Sequence, residues 1–127
     1  MDSWFIPVKQ QIKVTASDID DIMCAALEGG ISYWCGRVEV VGNYLGDYAS
    51  EQISRGGTLK LYDCEDMDEV YELDREKLLK GIKKAYEECY FADYEWCDGS
   101  VIDTCQVDAE VADVIVQIAI FDDVVYG

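Results

Sequence analysis

The sequence predicts an α+β fold, a single domain over residues 1–127 with a small, mostly antiparallel sheet packed against two or three helices. Three observations carry that expectation. Residues 58–63 alternate apolar and polar, and residues 70–73 can return antiparallel to them. Two segments, 18–27 and 74–89, place apolar residues at helical spacing behind a side chain able to cap the helix. The chain has 127 residues, half of them apolar, which suits one core and leaves no room for two.

The elements follow in chain order. Residues 5–15 end in alternation, with Ile12 and Val14 on one face and Lys13 and Thr15 on the other, so a strand is expected. Pro7 confines its start to an edge. Ser17 is the expected N-cap of the first helix, and Asp18, Asp20 and Asp21 suit the positive end of its dipole. Ile19, Ile22, Met23, Ala26 and Leu27 form its buried stripe, and Gly29-Gly30 supply a left-handed stop. The aromatic and β-branched residues of 31–41 predict a strand with a bend or bulge at Gly36. Residues 44–53 predict a short helix, stopped by Gly56 and Gly57.

Residues 58–63 and 70–73 then form a β-hairpin, in which Leu59 and Leu61 share one face of the first strand and Tyr71 and Leu73 share a common face of the second. Its turn carries a dense run of carboxylates. Asp74 caps the second helix, where Leu73 and Leu78 stand at the positions of a hydrophobic staple. Leu78, Ile82, Ala85, Tyr86 and Cys89 are its apolar stripe, while Lys77, Lys80 and Lys84 share another face and balance neighbouring acids. Residues 89–107 mix Tyr90, Phe91, Tyr94 and Trp96 with acids and cysteines. Asp108 caps a last helix over residues 111–125, apolar nearly all round and therefore expected at the centre of the fold.

Composition narrows the chemistry. Acidic residues number 27 against 10 basic, for a net charge of −17, so direct binding of nucleic acid through its phosphates is not expected. With no histidine there can be no Ser-His-Asp or Cys-His triad, HExxH zinc site or Cys2His2 finger. No acid/base spacing, nucleophile motif or phosphate-binding glycine loop appears, so an enzyme is not expected. No apolar run reaches the length of about 18 residues that a membrane span needs. Residues 1–7 lack a charged n-region followed by an apolar run, which predicts no signal peptide and a reduced, cytoplasmic chain. Its six cysteines include no C-x-x-C pair. A structural zinc held by Cys64, Cys89, Cys97 and Cys105 is one reading, incidental or buried thiols the other.

Three blocks carry a resemblance. The first is Asp18-Ile19-Asp20-Asp21-Ile22, with Ala26-Leu27-Glu28-Gly29-Gly30-Ile31 and Tyr33-Trp34-Cys35. The second is Tyr44-Leu45-Gly46, with Tyr48-Ala49-Ser50-Glu51-Gln52-Ile53-Ser54-Arg55-Gly56-Gly57. The third is Asp108-Ala109-Glu110, with Ala112-Asp113, Ile115-Val116-Gln117 and the ending Val125-Tyr126-Gly127. In these the chain resembles a family of small acidic proteins of phages and prophages of Gram-positive bacteria. The resemblance covers most of the chain, and its second block is the most specific. It implies a phage-encoded accessory protein without enzymatic activity. Small acidic proteins of that origin include inhibitors of bacterial immunity, among them type II-A anti-CRISPRs. No functional residue carries over from the family, and residues 87–104 depart most from its pattern.

Charge and resemblance together predict an inhibitor acting in the bacterial host cytoplasm. Its partner would be a CRISPR effector nuclease, whose nucleic-acid channel is lined by Lys and Arg, or another basic defence protein. The expected contacts are Asp63, Glu65, Asp66, Asp68, Glu69 and Glu72 on the hairpin, and Tyr90, Asp93, Tyr94, Glu95, Trp96 and Asp98 downstream. One alternative is a protein that sequesters a nucleotide immune signal, for whose phosphates only Arg37, Arg55 and the Lys77–Lys84 stripe are available. The other is an accessory phage protein of unrelated role.

Overall fold

A three-stranded antiparallel sheet and three helices make up the fold in a computed structural model that describes residues 2–4, 12–88, 97–98, 101–102 and 107–127. Helix α1 spans Ala16–Ala25 and runs on through a π turn, Ala26–Gly30. Strands β1 (Cys35–Val40), β2 (Leu59–Asp63) and β3 (Val70–Leu73) pair in the order β1-β2-β3. Helix α2 spans Arg75–Glu87 and α3 Ala109–Phe121. Between them β4 (Cys97–Asp98) and β5 (Val101–Ile102) form a two-stranded ladder.

The α+β class is as the sequence predicts. The hairpin register sets Leu59 opposite Leu73 and Leu61 opposite Tyr71. Leu59, Leu61 and Leu73 are fully buried, and each buried leucine contributes about 1.5–3 kcal/mol of apolar transfer. Asp74 caps α2 by accepting from Lys77 N–H, and Asp108 caps α3 by accepting from Val111 N–H, each at 2.9 Å. Every residue of α3 from Val111 to Ile118 is buried. The helix packs against α2, the π turn, α1 and β3, which makes it the centre of the core. Among the described residues no helix is long and apolar enough to cross a membrane.

Several boundaries differ from expectation. The first helix is capped by Thr15, not Ser17. Thr15 Oγ1 accepts from Asp18 N–H at 3.1 Å, and Asp18 Oδ2 accepts from Thr15 N–H at 2.9 Å, a reciprocal capping box. The matching acid for a Ser17 cap would be Asp20, and Asp20 instead accepts from Ser54 Oγ at 2.5 Å, tying α1 to the chain beyond β1. Of the first expected strand, residues 5–11 lie outside the described residues. The remainder is a single bridge at Lys13, although Ile12 and Val14 are half-buried and Lys13 and Thr15 exposed as the alternation requires.

No left-handed glycine stops α1, because Gly29 has an extended φ of 166°. Gly30 serves packing: a Cβ there would stand 2.6 Å from the carbonyl oxygen of Ala109, at the start of α3. Residues 31–34 form a turn rather than the start of a strand, with Cys35 N–H donating to Ile31 O at 2.8 Å. The expected bulge at Gly36 is present as a register shift between Cys35 and Arg37. The short helix expected over 44–53 is a single 3-10 turn, Ala49–Glu51, because Glu51 and Gln52 turn their side chains back to hold the preceding loop.

Candidate interaction site

Six consecutive residues, 64–69, join β2 to β3, and the last residue of β2 folds them. Asp63 is 8% exposed, and one oxygen of its carboxylate, Oδ1, accepts from the N–H groups of Glu65 and Asp66 at 2.8 and 3.0 Å. Asp66 repeats the device outward, accepting from Asp68 N–H at 3.0 Å. Backbone bonds from Asp63 N–H to Glu69 O and from Glu69 N–H to Asp66 O close the turn. Asp63 thus faces inward, and the turn it organises displays Glu65, Asp66, Asp68 and Glu69, with Glu72 following on β3. All five are exposed. Among the described residues none of these five carboxylates enters an ion pair. Met67 and Val70 lie among them, also exposed.

The other oxygen of Asp63 reaches the opposite end of the chain. Oδ2 accepts from the Tyr126 hydroxyl at 2.6 Å. The three hydrogen bonds, led by that from Tyr126, hold the Asp63 carboxyl below the usual carboxylate range. The same bond and burial push the Tyr126 hydroxyl up. The Tyr126 ring stacks on Trp34 at 5.3 Å with the planes 2° apart, and Phe121 stands edge-on to Trp34, Tyr126 and Tyr71.

Behind this stack lies a buried polar network. Gln117 is fully buried and its Oε1 accepts from Val125 N–H and Tyr126 N–H at 2.8 and 2.7 Å. Its Nε2 donates to Tyr126 O and to Asp113 Oδ1 at 3.1 and 2.9 Å. Asp113 also accepts from Trp34 Nε1 at 2.7 Å and from the Tyr33 hydroxyl at 2.5 Å. Burial and the bond to Asp113 push the Tyr33 hydroxyl up to about 12. The network is complete: among the described residues no buried side-chain nitrogen or oxygen lacks a partner. It holds the tail as a strap across α3, and the strap holds the hairpin through Asp63.

Periodicity did not point to this network. Asp113 and Gln117 interrupt an apolar helix at i, i+4, and that is the signal available in the sequence. Tyr33, Trp34, Asp113, Gln117 and Tyr126 are joined by these hydrogen bonds and hold the fold, although Tyr33 stays 52% exposed.

The remaining predicted site residues divide as follows. Tyr90, Asp93, Tyr94, Glu95 and Trp96 lie outside the described residues. Asp98 lies on β4, of which only the backbone is described. Cys64 is exposed, and its Sγ donates to Tyr33 O at 3.3 Å. Cys97 is on β4, and Cys89 and Cys105 lie outside the described residues, so the four-cysteine zinc set is represented by Cys64 alone. Among the described residues no group of three or more Cys, Asp or Glu side chains is placed to hold a metal ion. The lysines of α2 meet acids: Lys80 faces Glu76, Lys83 faces Glu87, and Lys84 faces Glu88 and Asp122. Lys77 Nζ donates to Glu72 O at 2.8 Å.

No protein-family model matches the chain, and neither a curated protein nor a solved structure matches it.

Proposed function

We propose that this chain is a non-catalytic binding protein that presents the hairpin turn to a Lys- and Arg-lined surface of a host defence protein. The partner class we favour is a type II CRISPR effector nuclease, with the chain a phage-encoded inhibitor acting in the host cytoplasm. The observation that carries the reading is the Asp63 turn. Five exposed carboxylates, none ion-paired among the described residues, ride on a backbone whose amides an inward-facing carboxylate already holds. Little ordering entropy remains to be lost on binding, and the net charge of −17 speeds encounter with a cationic channel. Met67 and Val70 add apolar contact beside the charges. Tyr90, Asp93, Tyr94, Glu95, Trp96 and Asp98 belong to the proposed surface as further contributors.

The test is target-DNA cleavage by such a nuclease, titrated with this protein at low and high salt. Inhibition should weaken with salt, as the screening length falls from about 10 Å at 0.1 M to about 3 Å at 1 M. Full cleavage at low salt with protein in excess would overturn the nuclease as partner.

A further inference from the structure

The loop between β1 and the 3-10 turn exposes large apolar side chains that the core could have buried. Tyr44 is 60% exposed, Leu45 47% and Tyr48 70%, and Val41 is exposed beside them. Such a loop is ordinarily left to fluctuate, but here two side chains hold it. Gln52, which is 1% exposed, accepts from Leu45 N–H at 3.0 Å and donates to Asn43 O at 3.2 Å. Glu51 Oε1 accepts from Asp47 N–H and Tyr48 N–H, each at 3.2 Å, while its other oxygen meets Arg55. Gly57 makes room for this: a Cβ there would stand 2.5 Å from Gln52 Nε2. A buried glutamine and a glycine therefore fix a loop whose tyrosines face water. Rigid tyrosines on a held loop are characteristic of binding surfaces.

Charge decides the occupant. Residues 38–54 contain Glu39, Asp47 and Glu51 and no Lys or Arg. Arg37 and Arg55 border the loop but are already paired with Glu39 and Glu51, which leaves Asp47 as its unpaired charge among the described residues and favours a cation over a phosphate, while a second copy would bring another −17 charge. A tyrosine ring face attracts a guanidinium, which also stacks flat on it, and the exposed Asp47 can pair with the same group. We infer that loop 41–48 is a docking surface for an arginine-bearing protein segment, with Tyr44 and Tyr48 as its cation-accepting rings. This surface is built by Gln52 and Glu51 and does not depend on the hairpin reading.

The test is an amide NMR titration of the whole chain with a nona-arginine peptide, using a nona-glutamate peptide as control. Residues 43–48 should shift and saturate with the arginine peptide alone. Y44A/Y48A should weaken that response about tenfold, and Y44F/Y48F, which keeps the ring faces, should restore it. Both pairs are exposed side chains, so the thermal midpoint should hold and report that the fold is intact. In D66K/D68K/E69K the shifts at 43–48 should persist, which separates this surface from the hairpin. No shift at 43–48, equal shifts in Y44A/Y48A, or loss of these shifts in the hairpin variant would overturn the inference.

Discussion

The Tyr126 hydroxyl donates to Asp63 Oδ2 at 2.6 Å, and that bond ties the end of the chain to the turn between β2 and β3. The other Asp63 oxygen holds Glu65 and Asp66, so tail docking and turn geometry share a carboxylate. Y126F keeps the ring stacked on Trp34 and removes only the donor. The Glu65 and Asp66 amides should then exchange faster with solvent, while amides in α2 keep their protection, as read by hydrogen exchange. Equal protection of Glu65 and Asp66 in both proteins would separate tail from turn.

Asp113 accepts from Trp34, Tyr33 and Gln117, and all three donors lose a partner in Asp113→Ala. Tyr33 and Gln117 keep Tyr126 O as acceptor, so Trp34 Nε1 is the buried donor left unsatisfied, at a cost of about 1–3 kcal/mol, and the variant should lose that much in urea denaturation. A loss below 1 kcal/mol would mean that the site relaxes or admits water.

The Asp63 shift sets a pH dependence. Its carboxyl is held below its unfolded value, so its contribution is fully present above the ordinary carboxylate range and lost as pH falls through the folded value. Protonating the many surface acids acts the other way, since it relieves the repulsion of a chain at −17. The diagnostic is therefore a difference. Between pH 5 and pH 2.5 the thermal midpoint of the native chain should fall relative to that of Asp63→Asn, and above pH 5 the gap should be constant.

Gly81 lies where α2 meets α3, and a Cβ there would stand 2.5 Å from Ile115 O and 3.0 Å from Ala119 Cβ. In a helix interior, Gly→Ala alone gains up to about 1 kcal/mol of propensity. Overpacking costs about 1–3 kcal/mol, so G81A should be net destabilising. A raised thermal midpoint would show that the helices can separate without penalty.

What the sequence made legible was local. Leu59, Leu61, Asp74 and Asp108 act within a few residues of themselves, by alternation or by capping, and their roles are as the sequence predicts. The first cap was misplaced because Thr15 and Ser17 each stand three residues before an acid. The choice turned on Ser54, which takes Asp20 from 34 positions away. The polar network was out of reach for the same reason. Trp34 and Asp113 are 79 positions apart, and Tyr33 and Tyr126 are 93 apart. Of the site, the acidic turn was visible as a charge run, but the inward role of Asp63 was not. Its hydrogen bonds run to Glu65, Asp66 and Tyr126, and composition places all the acids of the run alike.

The most direct measurement is the affinity of the native chain and of D66K/D68K/E69K for a type II CRISPR effector nuclease at low salt. Each replaced carboxylate is exposed and only Asp66 holds a turn amide, so the two thermal midpoints should lie within a few degrees of each other. The charge reversal should weaken binding at least a hundredfold, about 2.7 kcal/mol, and remove most of the salt dependence. Equal affinities with equal salt dependence would contradict the hairpin as the contact surface.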